Sequence, residues 1–425
     1  LPEPCEPTIL TDDARALPQP DNTVDLIVTS PPYFGLRSYT DGGEHYDTQL
    51  GAETTPADYV EALLDCTREM MRVLKPSGSL WINLGDKYGG AAWGNKNATG
   101  VSGLTGGVQV LDRTEAMATA RALPGTKHKS LIGIPWRYAI RCIDELGLIL
   151  RAEVIWSKPN GLPESVTDRV RRSHEQWFHF TLGPRYFAAV DEIREAHART
   201  WTPGKAGGHT YEAMKEPGAK DANLANSSSN PLGKLPGSVW EIATQPLNAP
   251  TELGVDHYAA FPMEWPRRII QGWSPREICT VCGEGRTPVG VSSSVNAGGA
   301  RGRATEGHIT AVQGQQDGRQ GARLAKATTI TRYACGCPDT TAPSTPGVVL
   351  DPFGGTGTTA LVATMHGRHG ISLDASTDYA RIAHWRAGDP KERARAAGLD
   401  PDTIARLKPE TPGQVSMFDL DGGDG

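Results

Sequence analysis

Two short stretches far apart in the chain carry residue types suited to chemistry: Thr29-Ser30-Pro31-Pro32-Tyr33 and Asp351-Pro352-Phe353-Gly354-Gly355-Thr356-Gly357-Thr358-Thr359. In the first, Ser30 Oγ and the Pro31 carbonyl are acceptors, and two consecutive prolines fix the backbone that presents them. Acceptors placed on the hydrogens of a flat, conjugated amine favour a pyramidal nitrogen with a usable lone pair. Tyr33 adds an aromatic plate that can stack on a flat ring. The same tetrapeptide also fits an ordinary Ser-Pro-Pro turn after a strand. In the second stretch Gly354, Gly355 and Gly357 let a ligand approach the main chain, and a helix starting at Thr358 favours a carboxylate at its N-terminus. The run has neither the Gly-x-Gly-x-x-Gly spacing of a dinucleotide site nor the Gly-Lys-Ser/Thr of a phosphate loop, so nucleotide phosphate is a poor candidate. Asp374, about 20 residues further on, stands where a carboxylate holds a ribose diol.

Elements that could position these stretches are legible around them. Each stretch follows an apolar β-branched run, Val24–Val28 or Val348–Leu350, and so leaves the carboxyl end of a buried strand, where open α/β sheets bind ligands. The pattern predicts strands over Thr23–Thr29, Ser79–Leu84, Leu148–Trp156 and Ser238–Ile242, and helices over Ala57–Leu74, Ile134–Leu146 and Thr358–His366. This rhythm predicts an α/β fold, a doubly wound and mostly parallel sheet with loop insertions. The organisation expected is a catalytic half over 5–191 with a mobile, glycine-rich insertion at 87–130; an insertion at 192–237 suited to target recognition; a return to the core at 238–274; a cysteine-bearing insertion at 275–342; a ligand-binding half at 343–388; and a polar tail at 389–425.

The 425 residues carry a formal net charge of −6, which argues against a chain wrapped in nucleic acid but leaves local basic patches open. With no apolar run of ~18 residues and no basic-then-apolar leader, the expectation is no membrane span, no secretion and a cytoplasmic location. The sequence opens on Leu1, so native residues are expected to precede it. Of seven cysteines, Cys279, Cys282, Cys335 and Cys337 form two close pairs bracketing a low-complexity stretch at 284–332. Four thiolates from two tight turns make a closed, structural zinc site for one ion; the alternative is free surface thiols.

The two stretches together resemble an S-adenosylmethionine-dependent DNA amino-methyltransferase of the β order, in which the Ser-Pro-Pro-Tyr half precedes the Phe-x-Gly-x-Gly half. The similarity covers most of 9–86, 131–191, 238–272 and 347–386. It implies a Rossmann-like methyltransferase core in circularly permuted order that acts on double-stranded DNA. It assigns Ser30, Pro31, Pro32 and Tyr33 to catalysis on a flipped base. It assigns Asp13, Phe261, Pro262, Asp351, Phe353, Gly354, Gly355, Thr356, Gly357, Thr358 and Asp374 to the cofactor, Asp13 on the adenine side and Phe261 on the methionine side. Ile155-Trp156-Ser157-Lys158-Pro159-Asn160, then Pro163-Glu164-Ser165-Val166, Arg169 and His174-Glu175, resembles the segment packed near the target base. It places Lys158, Asn160, Ser165, Arg169, Arg171, Arg172 and His174 on the DNA side. One departure is Ser372, where the family puts an acid; Asp374 is expected to take over. Ser30 in place of aspartate favours cytosine N4 over adenine N6.

Three basic clusters surround these motifs: Lys127-His128-Lys129; Arg169, Arg171 and Arg172; and Arg286, Arg301, Arg303, Arg319, Arg323, Lys326 and Arg332. For any single cluster, solvated loop charge is an equal alternative. Trp93, Trp201 and Tyr211 mark the two insertions that could read sequence. A cognate restriction endonuclease is a candidate partner, and Gln414-Val415-Ser416-Met417-Phe418 resembles a peptide that docks on a replication sliding clamp, although a plain disordered tail explains it better. The competing reading from another class is a catalytically inert, zinc-containing DNA-binding protein.

Overall fold

The computed structural model describes residues 6–35, 40–41, 44–45, 49–89, 124, 126–127, 129–161, 163–195, 230, 232–247, 249–253, 260–296, 313–314, 324–337, 341–400 and 403. Trp93, His128, Trp201, Tyr211, His257–Ala259, Arg301, Arg303, Arg319, Arg323 and the 414–418 peptide lie outside the described residues. In chain order the elements are β1 (Thr8–Thr11), β2 (Val24–Thr29), α1 (Pro56–Val73), β3 (Leu74–Leu84), α2 (Ile134–Asp144), β4 (Ile149–Ser157), β5 (His174–Thr181), β6 (Val239–Glu241), α3 (Glu264–Trp273), β7 (Ile278–Cys279), β8 (Thr287–Asn296), β9 (Leu324–Ala334), β10 (Ser344–Thr345), β11 (Val348–Asp351), α4 (Thr358–Met365), β12 (His369–Asp374), α5 (Thr377–Gly388) and α6 (Pro390–Ala397).

Eight strands form one sheet in the order β1-β12-β11-β2-β3-β5-β4-β6, parallel except where β5 runs between β3 and β4. β2 is buried at every position, as a central strand covered on both faces must be. One face packs on α1 and α2 through Tyr59, Leu63, Met70, Tyr138 and Phe178. The other packs on α3 and α4 through Trp265, Ile269, Leu361 and Val362. α1 starts at Thr55, whose side chain accepts from the Asp58 amide, with Pro56 in the first turn where its missing N–H costs nothing. β3 begins at Leu74, earlier than its apolar run suggests, because Leu74 pairs with Val24 before an irregularity at Lys75–Gly78 restores Leu26 to Ser79.

Carboxylates fix both ends of the central β2–β11 pair. At the amino end the Asp25 carboxylate binds Lys75 Nζ at 2.8 Å and accepts from the Val348 amide at 2.8 Å. At the carboxyl end Asp351 accepts from Thr29 Oγ1 at 2.6 Å and Thr359 Oγ1 at 2.7 Å.

Two regions differ from their sequence appearance. Within the stretch that reads as low complexity, β8 and β9 form a long antiparallel ribbon. Where composition suggests a polar tail, Pro390–Ala397 is a helix capped by Asp389, with Glu392, Ala394 and Ala396 buried. Its few small buried residues and one buried acid give no hydrophobic signal. Among the described residues no helix is long and apolar enough to cross a membrane.

Candidate functional site

The loops after β2 and β11 meet at one cavity of about 710 Å³. Its wall holds Ser30, Pro31, Pro32 and Tyr33 from the first stretch and Phe353, Gly354, Gly355, Thr356 and Thr358 from the second. Asp13, Phe261, Asp374, Lys158 and Asn160 join them. These residues come from across the chain because β2 and β11 are neighbours and β1 pairs with β12 at the sheet edge.

On the Ser30 side, a row of hydrogen bonds lines the wall. Ser30 Oγ donates to Asn83 Oδ1 at 3.2 Å, and Tyr33 Oη lies 2.6 Å from the same oxygen and 2.9 Å from Glu175 Oε2. The Asn83 amide nitrogen donates to the Gln176 carbonyl, which turns its oxygen toward Ser30 and Tyr33. Burial, with the Glu175 charge beside it, pushes the Tyr33 hydroxyl well above its usual range, so it stays a neutral phenol. Lys158 Nζ binds Glu175 Oε1 at 2.5 Å and sits 4.0 Å over the Trp156 ring. Gly85, just past β3, backs the Tyr33 ring: a β-carbon there would lie 2.5 Å from Tyr33 Cε2.

On the glycine side, Gly355 has φ +50°, and a β-carbon on it would meet no protein atom within 4 Å. Gly354 passes so close to Ser372 that a β-carbon would stand 2.0 Å from the serine Oγ. The acid usual at position 372 would therefore be pressed beneath the loop here, whereas Asp374, two residues on along the same face, reaches the cavity wall. Its Oδ2 accepts from the Gly355 amide at 2.8 Å and its Oδ1 from the Ser376 amide at 2.9 Å, so it shapes the loop as well as lining the space. Asp13 is gripped by Arg15 Nε and Nη2 at 2.5–3.0 Å, and that guanidinium holds its carboxyl below the usual range.

Several residues expected at the site stand elsewhere. Asp351 and Gly357 are off the cavity wall. Asp351 is 1% exposed and saturated by the two threonine hydroxyls and the Phe353 amide; burial pushes its carboxyl up to about 6. Gly357, at φ +75°, caps α4, and a β-carbon there would press on Ala383 at 2.8 Å. Pro262, Ser165, Arg169, Arg171, Arg172 and His174 are also absent from the wall. The arginines are engaged locally: Arg169 with Glu164 at 2.7 Å and 3.8 Å over Tyr88, Arg171 with the Gly161 carbonyl, and Arg172 with Gln176 at 3.1 Å and Asp86 at 3.5 Å. Arg286, counted with the basic arm, is 9% exposed and bound to Glu277 at 2.7 Å; it braces the cysteine insertion rather than a groove.

Sequence reasoning missed Asn83, Glu175 as Tyr33's partner, Gly85 and Arg386. Asn83 had a readable signal, a polar residue near the carboxyl end of an apolar strand. Arg386 had none: it is 2% exposed, paired with Glu392 at 2.9 Å, and donates to Thr356 Oγ1 at 2.9 Å and Thr358 Oγ1 at 2.8 Å beneath the glycine loop.

The four paired cysteines converge, their sulfurs all within 4.8 Å of one another and Cys279 Sγ 3.9 Å from Cys337 Sγ. A tetrahedral zinc with bonds of about 2.3 Å sets its sulfurs about 3.8 Å apart, which this cluster fits. Gly283, at φ +72°, makes the turn after Cys282, and its amide donates to the Cys279 carbonyl at 2.8 Å.

The cavity lies at the carboxyl ends of a doubly wound sheet, with the Ser30–Tyr33 loop on one wall and a glycine loop on the other. The family of N6 and N4 DNA methylases matches residues 24–280 and 340–384. Among curated relatives, the type II methyltransferase M.SmaI of Serratia marcescens is 34% identical over 269 residues, 62% of this chain and 73% of the relative. The type II methyltransferase M.XycI of Xanthomonas campestris pv. cyanopsidis is 32% identical over 255 residues, 59% of this chain and 66% of the relative. A solved PvuII DNA methyltransferase (cytosine-N4-specific) is similar at TM-score 0.48 and 16% identity, over 93% of this chain and 94% of that one. The chain belongs to the family of N6 and N4 DNA methylases.

Proposed function

We propose that the protein transfers a methyl group from S-adenosylmethionine to the exocyclic N4 of a cytosine flipped out of double-stranded DNA. The observation that carries this reading is that both motif loops line a single cavity. The bound cofactor would supply an electrophilic sulfonium methyl. Ser30 Oγ and the Pro31 carbonyl accept from the amine hydrogens, and Tyr33 stacks on the base, offsetting part of the unstacking cost of a few kcal/mol. Asp13, Phe261, Phe353, the 354–358 loop and Asp374 hold the cofactor, with Gly355 leaving room and its amide already fixed by Asp374. Asp351 serves this half from below by tying the strands. Ser30 in the first position of the motif supports cytosine N4 over adenine N6. An inert DNA-binding protein would tolerate a blocked cavity, yet this one is open and lined by both motifs.

Zinc is proposed as a structural ion held by Cys279, Cys282, Cys335 and Cys337, closing the base of the β8–β9 ribbon, since all four sulfurs would be used and no position is left for substrate. The type II relatives support a cognate restriction endonuclease as a partner in the cell. The deciding experiment is to express the protein in a bacterium free of DNA methylation and sequence its genome with a method that separates N4-methylcytosine from N6-methyladenine. N4-methylcytosine at one recurring sequence is expected; N6-methyladenine there would reverse the base assignment, and no modification would overturn the function.

A further inference from the structure

We propose that Lys158 reads the target base, its ammonium donating to the ring acceptors of cytosine and so separating cytosine from adenine. This rests on the base-methylation reading above. Among the described residues, the cavity wall carries two cations, Arg15 and Lys158. Arg15 is committed to Asp13 by a two-nitrogen grip beside the glycine half. Around Ser30 the polar groups are acceptors, the Asn83 oxygen and the Glu175 carboxylate, and the Asn160 amide exchanges hydrogen bonds with the Thr244 backbone. Lys158 is the charged donor on that side.

Its place follows from the hydrogen-bond row. The row starts at the amine acceptor Ser30, passes through Asn83, Tyr33 and Glu175, and ends at Lys158. A base whose amine meets Ser30 and whose face lies on Tyr33 extends its pairing edge along this row. On cytosine that edge continues from the amine through two acceptors, N3 and O2; on adenine it continues through N1 to a C–H that accepts nothing. A donor at the end of the row thus gains a partner with cytosine that adenine cannot offer. Lys158 is also held ready, clamped between the Glu175 carboxylate and the Trp156 ring, and an ammonium has three protons, of which Glu175 takes one.

The simpler role, a strut that only holds Glu175 and Tyr33 in place, would slow transfer to every base alike. The test uses the full chain as wild type, K158M, K158Q, K158R and E175Q, in single-turnover methyl transfer on matched duplexes bearing cytosine or adenine at the modified position. S-adenosylhomocysteine binding checks the fold of each variant. Expected is a loss of about tenfold or more on cytosine in K158M with little change on adenine, a smaller loss in K158Q, and most of the ratio retained in K158R. If K158M fails to bind S-adenosylhomocysteine, K158Q carries the same ratio test. Equal slowing on both bases, matching E175Q, would overturn the role of Lys158 alone. A wild type that transfers to adenine as fast as or faster than to cytosine would overturn the base assignment on which the inference stands.

Discussion

The Thr29 hydroxyl donates to the Asp351 carboxylate across 2.6 Å, joining residues 322 positions apart in sequence at the tips of two adjacent strands. This contact, with its partner from Thr359, sets the spacing between the Ser-Pro-Pro-Tyr loop and the glycine loop. Its acid is almost fully buried, and burial raises its carboxyl from the ordinary 3.8 to about 6. A raised carboxyl favours the fold while protonated, and that contribution fades as pH rises through about 6. Compared with D351N, the wild type should therefore lose stability between about pH 4 and 6.5, by up to about 3 kcal/mol, and run parallel to the variant above that. Denaturant unfolding of both proteins across this range checks it; parallel curves throughout would show that Asp351 ionises without cost.

Gly85 should be intolerant of the smallest side chain. An added methyl lies 2.5 Å from the Tyr33 ring and must push it into the cavity. G85A is expected to slow methyl transfer by about tenfold or more while S-adenosylhomocysteine affinity stays within about twofold. Calorimetric titration beside single-turnover assays separates the two quantities.

Tyr33 has two separable parts, ring and hydroxyl. Y33F keeps the plate but leaves Asn83 Oδ1 and Glu175 Oε2 without the phenol proton. Loss of one such bond is expected to cost about 1–3 kcal/mol, or roughly 5–150-fold in transfer. Y33A should fall further, with cofactor binding nearly intact in both; a parallel collapse of cofactor affinity would remove Tyr33 from the base side.

Arg386 supports the glycine loop from beneath and is buried with Glu392, each side chain 3% exposed. R386M leaves the buried Glu392 carboxylate with only the partly exposed Arg395, at 2.5 Å, and should cost about 3 kcal/mol of stability. R386M/E392L, which removes both charges, should recover much of that yet still bind S-adenosylhomocysteine weakly, because Thr356 and Thr358 lose their donor. Melting curves and titration of the three proteins test this split between stability and loop geometry.

For the cysteine cluster, mass spectrometry of the purified protein should find one zinc per chain, and C279S/C337S should find none. The variant is expected to melt several degrees lower while its core still binds S-adenosylhomocysteine. One full zinc equivalent in the double variant would place the ion elsewhere.

What could be read from sequence was set by how locally each feature is encoded. Val24–Val28 and Val348–Leu350 announce buried parallel strands, and the loops after them carry distinctive residue types, so the two walls of the cavity were visible at once. The orientation of Asp351 was not legible because a motif names an acid without saying which way it points; here it faces Thr29 and Thr359. Pro390–Ala397 was hidden because its anchor to the core is a buried ion pair, which composition cannot distinguish from a solvated one. The arginines at 169–172 were legible as charge, but Asp86, which pairs with Arg172 at 3.5 Å from a distant part of the chain, appears only after folding.

The tryptophan-rich face of the sheet has an optical consequence. Trp156 forms part of the cavity wall and lies 5.8 Å from Trp265, which stacks at 5.0 Å on Trp177 and at 4.8 Å on Trp240. Indoles at these separations share excitation, so a base arriving against Trp156 would dim a whole coupled array rather than one ring. If the proposed function holds, intrinsic fluorescence should report occupancy of this side of the cavity, and stopped-flow emission should time the entry of a flipped nucleotide without any label.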